Sequence, residues 1–524
     1  MIAATDVLVV GAGPVGLTLA CELARHGVAC RVVDRAPARS TQSRATDLHA
    51  RSLELWGHTG VAGAILARAV AIESVPLFSG GREVARLDFR GIDSDVPAAV
   101  SLRQHDLEAI LEDEIRAAGI AVEWGVGVDG LRAADGGGVV ACDGEREVGR
   151  AGWVVACDGV HSALRSAAGI AFAGGEFPGR WAALDAEIDA WPYGPGDLPV
   201  FLDADGFWAM PLPGGAVRMF FRDDAAPVGA PPSGAEAQAM LDRHVGRGAR
   251  ISAVGDAACF TIHHRVARRF RAGRLLLAGD AAHAMTPVSG QGMNTGIQDA
   301  FNLAWKLRLA LAGAPDALVD SYEAERRPVA LATVRGSRAT HEANVLEGEA
   351  AAARDRALAA ALATPAEVLA AVEAGHELAV AYHGSPIVQG VPGTAGPRPG
   401  DRVPDAGPLV DAAGRRTSLR ELMRAPGLLV LDLAGSGPAP QHAQALAAAE
   451  RRGGGFVAAR TVVIGEAAAQ TPVPVLSDPT LRVHGRLGPV APTLLVVRPD
   501  GYLGLRAEPF DAAALDRHLT LLGL

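Results

Sequence analysis

Asp6-Val7-Leu8-Val9-Val10-Gly11-Ala12-Gly13-Pro14-Val15-Gly16 opens the chain with a short apolar run that ends in G-x-G-x-x-G. The apolar half reads as a buried strand, and Leu17–His26, stopped by Gly27, reads as a helix. The glycine pattern therefore stands where it has physical meaning, after a strand and before a helix. Gly11 permits the tight turn, Gly13 lets backbone approach a phosphate, and Gly16 lets the helix pack on the sheet. Pro14 and Val15 complete the turn, and the free N–H groups of the helix start face a pyrophosphate. The next strand, Ala29–Val33, delivers Asp34 and then Arg35. A carboxylate there is placed to accept hydrogen bonds from ribose hydroxyls. This motif alone does not separate NAD from FAD.

Two further stretches narrow the choice. Arg274–Ala278 reads as a strand ending at Gly279-Asp280, and Gly290-Gln291-Gly292 opens a long helix from about Met293. An Asp at a strand end suits a sugar-alcohol hydroxyl. A helix N-terminus offers backbone donors and a positive dipole end, which favours the anionic N1–C2 region of a reduced flavin. Between these, Val154–Ala156 reads as a strand, Asp158-Gly159 as a tight turn, and Ser162–Arg165 as a helix start with an arginine one turn in.

The bulk numbers bound the rest. A chain of 524 residues is expected to form two or three domains. A net charge of -10 without a basic run argues against a nucleic-acid partner. The five cysteines include no CxxC pair and no zinc-ligand spacing, so reduced thiols in a cytoplasmic protein are expected. Neither a secretory signal nor a membrane-spanning run is read. Residues 70 to 270 are mixed with β segments, 274 to 375 mainly helical, including the alanine-rich 350–375, and Val391–Gly400 is a plausible linker. Apolar strands Leu428–Leu433, Thr461–Ile464 and Thr493–Arg498 then suggest a separate small α/β domain.

Taken together, the three glycine-bearing segments resemble the fingerprints of the flavoprotein aromatic hydroxylases, the class A flavin monooxygenases. Ser43-Arg44-Ala45 followed by His49-Ala50-Arg51-Ser52-Leu53-Glu54 is similar to the branch of pentachlorophenol, phenol and polyketide hydroxylases. The resemblance implies an α/β chain with a Rossmann-like FAD-binding domain of glutathione-reductase type, residues 1–175 and 270–345. It implies an inserted β-sheet substrate domain over 176–269, to which 70–100 contribute, and a helical connection and linker over 346–395. Through Val496–Tyr502, residues 396–524 resemble a thioredoxin-like appendage, here without cysteine and so without dithiol chemistry. A structural or dimer-supporting role, consistent with a homodimer, is assigned to it.

By the same resemblance, Gly11, Gly13, Gly16 and Asp34 would hold the ADP half of FAD, and Gln104 would contact the ribityl chain. Arg44 would sit near the pyrophosphate. Asp158, Gly159 and Arg165 would organise pyrophosphate and nicotinamide nucleotide, and Gly279-Asp280 would bind the ribityl hydroxyl. Pro287 and Gly290-Gln291-Gly292-Met293-Asn294 would line the isoalloxazine ring. The implied reaction hydroxylates a small aromatic or polyketide substrate: NADPH or NADH reduces FAD, and O2 adds at flavin C4a to give a hydroperoxide. Baeyer–Villiger oxygenation by the same peroxide and a non-catalytic flavin-binding module are the alternatives. Halogenation is set aside because no W-x-W segment occurs, and a plain NAD-dependent dehydrogenase because Gly279-Asp280 would go unexplained.

Several residues carry a plainer expectation beside the sharp one. His283 is expected to be a packed histidine near the cofactor, and Arg165 has an alternative as a helix-surface arginine. His263 and His264 are adjacent on a strand and face opposite ways, so no metal site is expected. Phe207, Trp208 and Met210 are expected either in the core or facing substrate. No residue is assigned as catalytic base.

Overall fold

A computed structural model of the chain describes residues 4–42, 45–135, 137–179, 181–222, 231–246, 248–391, 393, 395–437, 439–467 and 471–524. Ala4–Val10 lies inside the first sheet, parallel to Cys30–Asp34 on one side and to Arg146–Ala156 on the other. Leu275–Leu277 continues the parallel set beyond Arg146–Ala156, and Val122–Trp124 extends it beyond Cys30–Asp34. A strand buried on both faces needs an unbroken apolar run, which Val7-Leu8-Val9 supplies at no more than 1% exposure. Helices Pro14–Arg25, Gln104–Ala117 and Gln291–Leu311 pack together against this core.

The second sheet runs Arg250–Phe260, Trp181–Asp189, Val217–Arg222, Trp208–Pro211, Val200–Phe201, Ser74–Ser79, Arg82–Asp88. Its last two strands come from far upstream and join it through the parallel pairing of Val200 with Leu77. One face, with Trp208, Met210 and Phe220, packs into one apolar cluster. The other, with Phe207, Ala209 and Met219, packs under helix Gly234–His244.

Helix Asp316–Asn344 follows Gln291–Leu311, and the alanine-rich stretch comes next. That stretch is two helices, not one: Gly348–Ala361 and Pro365–Gly375 meet at 106°. The break is local chemistry, because Thr364 and Glu367 form a capping box and Pro365 sits in the first turn. No single described helix is long and apolar enough to cross a membrane.

In the C-terminal unit, Leu428–Gly435 is central, parallel to Val457–Val463 and antiparallel to Thr493–Val497. Leu503–Ala507 extends the sheet beyond Thr493–Val497. Helices Pro440–Arg452 and Ala512–Leu521 pack against each other on it.

Candidate active site

The first glycine turn is dictated by what it touches. Gly11 has φ 109°, and a Cβ there would run into the Cys157 carbonyl, while one on Gly16 would overlap the Gly11 carbonyl oxygen. Gly13 has no protein atom within 4 Å of where a Cβ would stand. The Pro14–Arg25 helix starts at Gly13 with no side-chain cap, so its first amides point into the cavity that Gly11, Gly13, Pro14 and Val15 border. Asp34 lines the same cavity beside Arg35, with one oxygen taking the Ala12 N–H and the other the Ala36 N–H, both at 2.8 Å.

The Asp-Gly and Gly-Asp turns lie side by side. Asp158 accepts from the Ala163 N–H at 2.9 Å, and its other oxygen is buried with no partner among the described residues. Asp158 and Gly159 border the cavity. Arg165 does not: it is buried, stacks over Phe172, and donates to the carbonyls of Val160 (2.8 Å) and Ala281 (3.0 Å). It is thus neither a surface arginine nor a cavity residue, but a brace between the two turns. Gly279 has φ 61° and packs on Val15, and its N–H donates to Asp299 at 3.1 Å. Asp280 is exposed at the cavity edge.

Gly290 (φ 64°) starts the Gln291–Leu311 helix, again with no side-chain cap. Pro287, Gly290, Gly292 and Met293 line the cavity there, as does Gln104, whose Nε2 donates to Glu108 at 2.8 Å. One continuous cavity of about 1040 Å³ therefore carries two uncapped helix starts, with Asp34, Asp158 and Asp280 along its length. Amides aimed into one space from two helix starts suit a dinucleotide with a second electron-rich group.

The model of the FAD binding domain family matches residues 4–337. The chain belongs to the FAD-dependent aromatic hydroxylases, the class A flavin monooxygenases. It is 32% identical to 6-methylpretetramide 4-monooxygenase of Streptomyces rimosus, over 99% of this chain and 94% of the relative. Identity to pentachlorophenol 4-monooxygenase of Sphingobium chlorophenolicum is also 32%, over 76% of this chain and 75% of the relative. The crystal structure of the flavin-dependent monooxygenase PieE in complex with FAD and substrate superposes with a TM-score of 0.79 at 25% identity, covering 99% of each chain.

For an FAD enzyme the open space at Gly13 and the orphaned Asp158 oxygen fit the cofactor well. Other expected contacts fall elsewhere. Gln291 turns away from the cavity and donates to the Gly375 carbonyl at 3.2 Å. Asn294 is fully buried: its Oδ1 accepts from the His49 N–H and the Ser52 hydroxyl, each at 2.9 Å, and its Nδ2 donates to the Gly290 carbonyl at 2.8 Å. Gly16 and Gly279 act through backbone packing and do not border the cavity. Arg44 lies outside the described residues. His283 is packed as expected, with Nε2 2.7 Å from an Asp299 oxygen and no exposure.

Beyond the flavin region the cavity continues under Trp208, Met210 and Phe220. Phe207 does not belong to this wall. It is stacked on His244 on the opposite face, because neighbouring strand residues alternate. The same alternation separates His263, which lines the cavity beside Glu176, from His264, whose ring packs on Phe177. Among the described residues no cluster of His, Cys, Asp and Glu suits a metal ion.

Two wall residues had no signal in the sequence. Thr286 lines the cavity with its Oγ1 3.2 Å from Nδ1 of His341, which stacks on Phe177. Burial pushes His341 down to about 4, so it is neutral at pH 7. Asp47 reaches the cavity beside Gly290 and pairs with His49 at 3.1 Å.

Proposed function

We propose that this monooxygenase hydroxylates an aromatic ring, phenolic or polyketide-like, using O2 and NADPH or NADH as co-substrates. The observation that carries the proposal is the single cavity, dressed for a dinucleotide at one end and walled by Trp208, Met210 and Phe220 at the other. FAD supplies two-electron activation of O2 once it has been reduced by the nicotinamide nucleotide.

The chain's own residues bind, orient and exclude water. The N–H groups of Gly13 and Val15 take the pyrophosphate, and Asp34 keeps lone pairs for the adenosine ribose beyond the two amides it already accepts. Gln104 and Asp280 take ribityl hydroxyls, and Pro287 with Gly290, Gly292 and Met293 meets the isoalloxazine ring. The uncapped start of Gln291–Leu311 stabilises negative charge on the reduced ring. The Trp208, Met210 and Phe220 wall keeps water from the reacting atoms. Thr286 offers a hydroxyl to a substrate oxygen, and neutral His341 is positioned to accept the Thr286 proton while that hydroxyl accepts in turn.

We read the C-terminal unit as thioredoxin-like, supported by three parallel strands, Leu428–Gly435, Val457–Val463 and Val475–Ser477, continued on one side by two antiparallel ones. A cytoplasmic setting fits a chain whose five cysteines are all free. The test is aerobic turnover by the purified yellow protein against a panel of aromatic compounds. Faster NAD(P)H oxidation and a product one oxygen heavier, with a new ring hydroxyl, are expected. A lactone product, or no oxygen consumption with any aromatic compound, would overturn the proposal. Asp280→Ala is expected to lower flavin content.

A further inference from the structure

The turn Arg498-Pro499-Asp500-Gly501-Tyr502 joins two strands of the C-terminal unit, yet it is buried in the FAD-binding domain. Arg498, Asp500 and Tyr502 are at most 2% exposed. Arg498 grips Glu325 with both guanidinium nitrogens, at 2.7 and 2.8 Å. Asp500 accepts from Asn302 (3.3 Å) and Trp305 (3.4 Å), and its carbonyl accepts from Arg51 at 2.7 Å. The Arg51 guanidinium also lies over the Tyr502 ring. Glu325 is completed by Lys306 at 2.6 Å and Asn302 at 2.7 Å.

Two of the groups gripped by this turn, Arg51 and Glu325, lead back to a flavin motif through the next residue in sequence and two hydrogen bonds. Arg51 belongs to helix Ala50–Gly57, whose first turn, through the His49 N–H and the Ser52 hydroxyl, holds Asn294. Asn294 in turn fixes the Gly290 carbonyl. Next to Glu325, Arg326 donates to Asp299 at 2.7 Å, and Asp299 accepts the Gly279 N–H. Asn294, Asp299, Asn302, Trp305 and Lys306 all stand on the one helix that starts at the cavity. Every side chain in this network is buried, and four cations (Arg51, Lys306, Arg326, Arg498) face four anions (Glu54, Asp299, Glu325, Asp500). A buried, fully paired network of this kind tolerates no independent shift of one member.

We propose that the Arg498–Tyr502 turn is a positioning element of the flavin site, through which the cysteine-free C-terminal unit fixes Gly290 and Gly279. The unit then contributes to flavin binding without touching the cofactor. Asp500 and Arg498 are positioning residues, not catalytic ones.

The test uses the full-length holoenzyme and three variants. Asp500→Asn removes a charge without changing shape. Gly501→Ala places a methyl 3.3 Å from an Arg51 nitrogen at a backbone angle of φ 74°, and serves if the first variant does not fold. Leu433→Ala, on the neighbouring strand Leu428–Gly435 and opposite Thr493 at the end of Thr493–Val497 remote from the turn, weakens the C-terminal core without touching the turn. Asp500→Asn and Gly501→Ala are expected to raise the FAD dissociation constant about tenfold and to shift the midpoint potential of the bound flavin. Leu433→Ala is expected to lower the melting temperature and leave both flavin quantities unchanged. The proposal is overturned if the turn variants only melt earlier, with native flavin affinity and potential. It is equally overturned if Leu433→Ala weakens FAD as much as they do.

Discussion

Gly13 and Gly16 look alike in sequence and differ in what surrounds them. A methyl at Gly16 would collide with the Gly11 carbonyl, whereas one at Gly13 would stand in open space on an ordinary backbone with φ -77°. Gly13→Ala is therefore expected to leave the melting temperature of the flavin-free protein unchanged and to weaken FAD binding tenfold or more, about 1.4 kcal/mol. Gly16→Ala is expected to lower both. Flavin titration beside thermal melts of the apoprotein checks this, and native FAD affinity in Gly13→Ala would mean that no phosphate lies against that turn. Glycines of this kind are legible because a side chain at each would meet either backbone, as at Gly16, or the bound pyrophosphate, as at Gly13. Polar residues of the same motif are not. Gln291 and Asn294 share a run with Gly292 and Met293, yet the helical period turns the first two onto Gly375 and Ser52 and leaves the others on the cavity. Membership of a motif did not say which way each side chain points.

A strand obeys a stricter rule, and along Trp208–Pro211 it decides which residues meet substrate. Trp208 and Met210 face the cavity, while Phe207, just before the strand, packs with Phe201 and His244 under the Gly234–His244 helix. Three residues spanning an odd and an even position were never all going to share a face, and the period of two was available in the sequence. The break between Gly348–Ala361 and Pro365–Gly375 was equally available, since Thr364-Pro365 with Glu367 spells a helix start. Phe207→Ala is expected to cost about 3–5 kcal/mol of stability through a core cavity. It should leave unchanged the amount of product formed per NAD(P)H. Trp208→Ala should do the reverse, letting water reach the reacting atoms so that NAD(P)H is oxidised with less product. Denaturant melts and a coupling ratio for each variant check the pair. Uncoupling confined to Phe207→Ala would mean that the sheet presents its other face.

Across the whole molecule the sequence showed three units but not how they lock. Arg51 and Asp500 are 449 residues apart and bond directly, and no local period announces such a contact. Nor does any period announce burial of histidines, which recurs from His26 to His518 and governs how the fold responds to acid. Burial pushes His26 down to about 3, and His376 and His518 down to about 4, from an ordinary 6.5. Unfolded, each takes up a proton near pH 6.5; folded, each refuses it until the pH is far lower. Acid therefore favours the unfolded chain between those limits, by about 1.4 kcal/mol for every tenfold loss of proton affinity that burial imposes on a ring. Glu325 adds to this at lower pH. Burial alone would raise it, but Arg498 and Lys306 hold it below its ordinary 4.5, so its contribution is present above that value and lost beneath it. The melting temperature is expected to be flat between pH 7 and 8, to fall between pH 6.5 and 4 as the unfolded chain's histidines charge, and to fall further below 4.5 as Glu325 protonates. His518→Gln keeps a group able to face Gln389 and removes one titrating site, so its melting curve should lose less between pH 6.5 and 4. Thermal melts of both proteins across that range decide the matter. An unchanged melting temperature from pH 7 to pH 5 would mean that these rings are charged in the fold and that their burial is relieved by water.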